Sequence, residues 1–312
     1  MIIARNDWIP DLSAETRPWH TLPAMLAIRL GLIWLFLVWL TGFAGPFLLV
    51  ALLVAASFVL AAFNSSPRPA ATLLDARAMV ALWVRELVAA FATLFIFMPL
   101  EAFLMRRDTT GGRAELPRVL LIHGYANNAG AMFILWRAIK SAGYGVHTIN
   151  LEPIYADIDS YADSIEARLA AISANHAGQR IILVCHSMGG LAARAYLRKF
   201  GAARVSAALT LGTPHAGTVH AATALGRNAS QMRPGSAWLA ELARFEGGLW
   251  PCPLVSFFSH DDNIVAPQMS ACLAGASNVA LAGVGHISLA MSAGVAAQVV
   301  GKIDDVAGAA AG

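Results

Sequence analysis

Two regimes of hydrophobic patterning divide the chain. From Leu30 to Phe63 no position carries a charge, a run of 34 residues, whereas about 20 suffice to cross a bilayer once. Gly42, Gly45 and Pro46 interrupt the run. Proline removes a backbone donor and restricts the residue before it, so the pattern predicts two spans near 23–41 and 46–63. A third apolar stretch from Leu87 to Met105 carries Phe91, Phe95, Phe97 and Phe103 and ends on Pro99, Glu101 and the Arg106–Arg107 pair. It predicts a further crossing or an interfacial segment over 87–105. A secretory signal is a poor match, because its apolar core is only about 7–15 residues long. Core helices of a soluble domain are a poor match too, since they seldom need a charge-free run of this length.

After Glu115 the period changes. Short apolar runs rich in β-branched residues (118–124, 146–151, 180–186, 205–212, 253–259 and 278–283) alternate with amphipathic stretches at 129–141, 159–176, 188–200 and 287–302. Unbroken apolar strands separated by helices imply a parallel sheet covered on both faces. The predicted organisation is an N-terminal segment (1–21), a membrane-anchor region (22–107), a linker (108–116), an α/β domain (117–305) and a tail (306–312). Because strands and helices after the linker form a complete set, a chain starting near Gly112 is expected to fold alone. Between Pro214 and Trp250 lies an insertion without strand signal. Its Trp238, Leu239, Leu242 and Phe245 fall on one helical face, which suits either a cap over a groove or ordinary packing on the sheet domain.

Composition sharpens this picture. Residues are 57% hydrophobic and 13% charged, far from a soluble average, with the apolar excess in the first hundred. The net charge of +3 has no basic block, which argues against a nucleic-acid partner. Arg5, Arg17, Arg68, Arg77 and Arg85 would face Arg106, Arg107, Arg113 and Arg118 across a three-span arrangement, so arginine counting gives almost no orientation. The expected location is a bacterial inner membrane, multi-pass, with the side of the C-terminal domain left open and a slight lean to the periplasm. Three cysteines, Cys185, Cys252 and Cys272, show no metal-ligand spacing, and a Cys252–Cys272 bridge is conceivable but not decided by sequence.

The chemistry concentrates in VCHSMGG at 184–190, where a strand runs straight into a helix with Ser187 at the corner. Such an elbow exposes a serine hydroxyl and points a helix N-terminus at the reacting centre. The G-x-S-x-G pattern is met at Gly189 but not at the first position, which is Cys185. LLIHGY at 120–125 ends the first strand in a glycine-containing loop, with His123 suited to orienting or packing. GVGHISL at 283–289 places His286 on a loop before the last helix. The carboxylate partner lies in SHDDNIV at 259–265, where Asp261 and Asp262 both follow a strand. Ile264 and Val265 would pack into the sheet edge and hold Asp262 inward. His215 and His220 read as loop residues without a catalytic task. Asp157, Asp159 and Asp163 read as acids at a helix start rather than a calcium loop.

Together with TLGTPHAG at 210–217, these stretches resemble the bacterial lipases and esterases of the α/β-hydrolase fold, above all the small lipases, over about residues 117–300. The resemblance implies Ser187 as nucleophile, His286 as general base then acid, and Asp262, which heads the matching Asp-x-Ile-Val, as the acid that orients it. It also implies an oxyanion site made of the Tyr125 and Met188 backbone N–H groups. The expectation is therefore an α/β-hydrolase fold preceded by N-terminal transmembrane helices. It would be a lipase or esterase acting on small-molecule or lipid esters beside a lipid bilayer, with no cofactor and no metal. An acyltransferase or thioesterase would share the acyl-enzyme half-reaction, and a membrane scaffold that retains the fold without catalysis is the alternative from another class.

Overall fold

The computed structural model describes residues 30–38, 42, 44–105, 108–109, 111–176, 178–247 and 250–309. Six strands, β1 (Arg118–Ile122), β2 (Gly145–Ile149), β3 (Ile181–His186), β4 (Val205–Leu211), β5 (Leu254–Ser259) and β6 (Ser277–Leu281), pair in the order β2-β1-β3-β4-β5-β6. Every pairing is parallel. β1, β3 and β5 are buried throughout, as their continuous apolar sequences require, whereas edge strand β6 buries little.

Neighbouring residues of one strand feed different cores. Leu120, Ile122, Leu183 and Cys185 belong to one face, Val119, Leu121, Ile182 and Val184 to the other, the two-residue period of a strand made physical. The helices divide accordingly. The face of Leu120 and Cys185 packs on two long helices, Ile158–Asn175 and Met188–Phe200. The opposite face packs on Phe133–Ser141 and Ala293–Ala309.

The N-terminal region departs from expectation. The described residues before Phe47 fall in a unit of their own, where residues 30–38 are helical; the rest of the predicted span 23–41 and the whole segment 1–21 lie outside the described residues. The second unit runs Phe47–Gly312, so contacts do not divide at 108–116. Helix α1 (Ala44–Phe63) begins two residues before Pro46, which sits in the first turn where its missing N–H is not needed. Helix α2 (Ala76–Ala92) starts at the Asp75 cap, whose side chain accepts from Ala78 N, and continues as a π-turn through Phe97. The apolar helix is thus Ala76–Phe97, not 87–105. Beyond it the chain turns at Pro99 and makes one further turn, Glu101–Leu104.

Gly45–Phe63 and Ala76–Phe97 are the two described helices long and apolar enough, by length and composition, to cross a membrane. Both also bury a face within the second unit. Val50 and Val54 of α1 meet Leu87 and Ala90 of α2, with Ile287 packed against them. Leu48, Leu49, Leu52, Leu53, Val80 and Val88 remain exposed on the other side.

Among the described residues, the remaining helices of nine residues or more are α3 (Phe133–Ser141), α4 (Ile158–Asn175), α5 (Met188–Phe200), α6 (Ala237–Glu246) and α7 (Ala293–Ala309). The predicted C-terminal helix is broken at Ser292, after a single turn Ser288–Met291. In the insertion, α6 buries Leu239 and Leu242 but leaves Phe245 exposed. Glu246 at its end pairs with the buried Arg194. Arg194 lies seven residues beyond Ser187, about 10 Å along α5. α6 thus packs on the sheet domain through Leu239 and the Glu246–Arg194 pair. Cys185, Cys252 and Cys272 are free thiols.

Candidate active site

The strand order places three loop ends on one rim of the sheet. The chain leaves β1 for one side and returns on the other with β3, so the ends of β1 and β3 flank a switch point where open parallel sheets bind ligands. The β1 end carries His123–Gly124–Tyr125, the β3 end carries Ser187, and the ends of β5 and β6 carry Asp262 and His286.

Ser187 has φ 54° and ψ −128°, a conformation that costs a non-glycine residue about 1–3 kcal/mol. It persists because its neighbours leave no alternative. Ser187 N–H donates to Leu211 O, and Thr213 Oγ1 donates to Ser187 O. Gly189 lies so close to the β1 end that a Cβ there would come within 2.6 Å of the carbonyl oxygens of Ile122 and His123. Cys185, where the pattern has its other glycine, faces the α4–α5 side of the sheet and is fully buried among apolar side chains. That position has room for a thiol, and burial pushes the thiol pKa up, keeping it neutral.

His286 Nε2 lies 3.0 Å from Ser187 Oγ, and His286 Nδ1 lies 2.9 Å from Asp262 Oδ2. The other carboxylate oxygen of Asp262 accepts from Ile264 N and Val265 N. Asp262 is 2% exposed and His286 5% exposed, so the pair is shielded from bulk water. Burial works against a charged imidazole, but the Asp262 carboxylate, its hydrogen bond and the Glu86 carboxylate outweigh it and raise His286 above 6.5. Asp261 turns elsewhere. It pairs with Arg68 and accepts from Gly283 N.

His123 donates from Nδ1 to Gly124 O and accepts Leu151 N–H at Nε2. Holding the Gly124 carbonyl fixes the plane of the Gly124–Tyr125 peptide, whose N–H lies on the opposite edge from that carbonyl. A Cβ on Gly124 would meet Ser187 Cβ at 2.8 Å, so this peptide is packed directly against the serine. Met188 opens α5, where a backbone N–H has no intrahelical acceptor. The Tyr125 hydroxyl donates to Leu225 O and accepts from Leu225 N. Asn228 Nδ2 reaches Ile154 O and Met188 Sδ. Residues 225–228 are thus a part of the insertion that contacts Tyr125 and Met188.

Known proteins share this architecture. The mature form of a Bacillus licheniformis lipase superposes with a TM-score of 0.56 at 18% identity, covering 62% of this chain and 94% of its own. Aspergillus fumigatus lipase B gives 0.53 at 21% identity, covering 63% of this chain; the present chain spans 57% of that lipase's length. The chain has the α/β-hydrolase fold. Residues 118–245 match the palmitoyl protein thioesterase family. No curated protein sequence matches the chain.

Several residues of the site went unread in the sequence. His186 Nε2–H donates to His286 O, and its ring stands 4.8 Å from that of His286. Burial and the neighbouring His286 drive its pKa to about 3. Asn263 Oδ1 accepts His286 N–H while its Nδ2 donates to Ser57 Oγ on α1. Glu86, a lone carboxylate inside an apolar helix, was the legible signal, because a charge in such a helix marks a function or a partner. His215, fully paired with Arg194, Thr210 and Ser256, belongs to a buried polar cluster away from the serine. Asp157 caps α4, while Asp159 and Asp163 pair with Arg198 and Lys199.

Proposed function

We propose that the protein is a serine hydrolase that cleaves carboxylic esters of apolar acyl groups through a covalent acyl-enzyme. The observation that carries this reading is the chain of contacts from Ser187 Oγ to His286 Nε2 at 3.0 Å and from His286 Nδ1 to Asp262 at 2.9 Å, on a serine held at positive φ. In this reading His286 removes the serine proton as Oγ attacks the acyl carbonyl, and Asp262 holds the tautomer and stabilises the imidazolium. The Tyr125 and Met188 N–H groups receive the developing oxyanion. His286 then protonates the leaving alcohol, and water releases the acid by the same steps in reverse order. No metal or cofactor enters these steps.

The exposed apolar faces of α1 and α2 favour a site beside a lipid bilayer, where apolar esters concentrate. The family match over 118–245 favours a second leaving group, a thiol, since attack on a thioester forms the same acyl-enzyme. The deciding experiment treats the full-length protein with a fluorophosphonate and then measures turnover on p-nitrophenyl esters and acyl thioesters of increasing chain length. Labelling at Ser187 with faster turnover of longer acyl groups supports the reading. An unlabelled Ser187 in folded protein overturns it.

A further inference from the structure

We infer that Glu86, on apolar helix α2, is a positioning residue for His286, and that the N-terminal helices are therefore part of the active site. This inference rests on the hydrolase reading above. Glu86 is fully buried. One carboxylate oxygen accepts Ile287 N–H at 2.7 Å, and the other accepts Ser288 N–H at 3.0 Å and Ser288 Oγ–H at 2.6 Å. With His286 N–H taken by Asn263, three consecutive backbone donors at and after the histidine are fixed by side chains from outside their own loop. Asn263 is in turn held by Ser57 of α1, whose hydroxyl donates to Val54 O.

The fit is specific. A Cβ on Gly285 would come within 2.4 Å of Glu86 Oε2, so the residue before the histidine is glycine where the carboxylate lies against the backbone. Ile287 packs against the cluster formed by α1 and α2, and Arg85 beside Glu86 donates to Gly283 O. A buried carboxylate is costly unless it is hydrogen-bonded, and all three of its donors belong to the segment that aims His286. The groups facing His286 are Ser187 at Nε2, Asp262 at Nδ1, the His186 ring and the Glu86 carboxylate, with His220 near enough that the charge of His286, after burial, helps to hold it neutral. Of these, Glu86 alone comes from the apolar helices.

The test uses the full-length protein in detergent and the variants Glu86→Ala, Glu86→Gln and Ser288→Ala, each checked by circular dichroism and thermal melting. The readouts are the rate of fluorophosphonate labelling at Ser187, kcat and KM on one soluble ester, and the pH dependence of kcat/KM. Glu86→Ala is expected to lower both the labelling rate and kcat by about 10²-fold with little change in KM, as misplacing a catalytic group by about 1 Å does. Glu86→Gln retains one acceptor and should lose less. Its acid limb should move to lower pH, because a charge that favours the protonated imidazole is gone. Ser288→Ala keeps both backbone bonds and should lose least. If Glu86→Ala does not fold, Glu86→Gln and Ser288→Ala decide. A folded Glu86→Gln with wild-type labelling, kcat and acid limb overturns the inference. Failure of the wild type to label at Ser187 sinks the hydrolase reading instead, so the two failures are distinct.

Discussion

Asp261 and Asp262 are adjacent in the chain yet serve different partners: Asp262 faces His286 Nδ1 at 2.9 Å, while Asp261 is paired with Arg68 and receives Gly283 N–H. Replacing Asp262 by Asn is expected to lower kcat by about 10³–10⁴, the loss seen when an orienting carboxylate becomes an amide. Asp261→Asn should cost less than about tenfold in kcat and show its effect chiefly as a lower melting temperature, because it unpairs Arg68. Turnover on one soluble ester, with melting curves for both variants, checks the difference.

The acid side of the pH profile follows from one group. In the proposed mechanism His286 must be neutral to accept the serine proton, and its pKa lies above 6.5 because Asp262 and Glu86 outweigh its burial. Activity should therefore be full above that raised value and fall, with unit slope, as pH drops through it. His123, at about 4, and His186, at about 3, are already neutral throughout this range and add no second step. In Asp262→Asn the acid limb should shift to lower pH. Measuring kcat/KM against pH for both proteins tests the sign.

The sheet was legible because its inner strands are buried on both faces and read as largely apolar runs; β1, β3 and β4 start and end within two residues of their predicted limits. The loop residues Ser187 and His286 were legible because a serine between a strand and a helix, and a histidine after the last strand, are set by local order. What the sequence hid are contacts between distant segments. Glu86 reaches Ser288 across 202 positions, and Ser57 reaches Asn263 across 206. Apolar periodicity also cannot distinguish a helix that faces lipid from one that buries one face against protein, which is why 87–105 was expected where Ala76–Phe97 is found.

Ser187→Ala should lower kcat by roughly four to six orders of magnitude with little change in substrate binding, because nucleophile and base act as a unit. A purified, folded variant that keeps more than about a tenth of wild-type turnover would show that the serine has been misassigned.

The two flanks of the elbow should respond differently to alanine. At Gly189 a Cβ would come within 2.6 Å of two carbonyl oxygens of the β1 end, so Gly189→Ala is expected to cost about 1–3 kcal/mol from overpacking and to displace Ser187. Cys185→Ala removes one buried sulfur from an apolar cluster and should cost about 1 kcal/mol while leaving kcat nearly unchanged. Denaturant melts and turnover of the two variants provide the comparison.

A chain that starts at Gly112 would test whether the sheet domain stands alone. Its strands and helices are complete, and on sequence grounds alone it should fold. The contacts of the residues before the linker argue the other way, because they fill gaps in the sheet domain and hold the loops of Asp261 and His286. Gly130 lies against Phe97, where a Cβ would fall 2.2 Å from the carbonyl oxygen. Phe97 stacks on Phe133 at 4.8 Å, and Asn128 Nδ2 donates to Met98 O. Asn150 donates to Glu101, Asp261 loses Arg68, and Ile287 and Ser288 lose Glu86. Each buried group left without its partner costs about 1–3 kcal/mol, and several such losses together are comparable with the whole stability of a domain. The shortened chain is therefore expected to be insoluble or, where soluble, to label with a fluorophosphonate at least about 10²-fold more slowly than the full chain in detergent. Equal labelling rates and equal turnover on a soluble ester would show instead that the sheet domain holds His286 by itself.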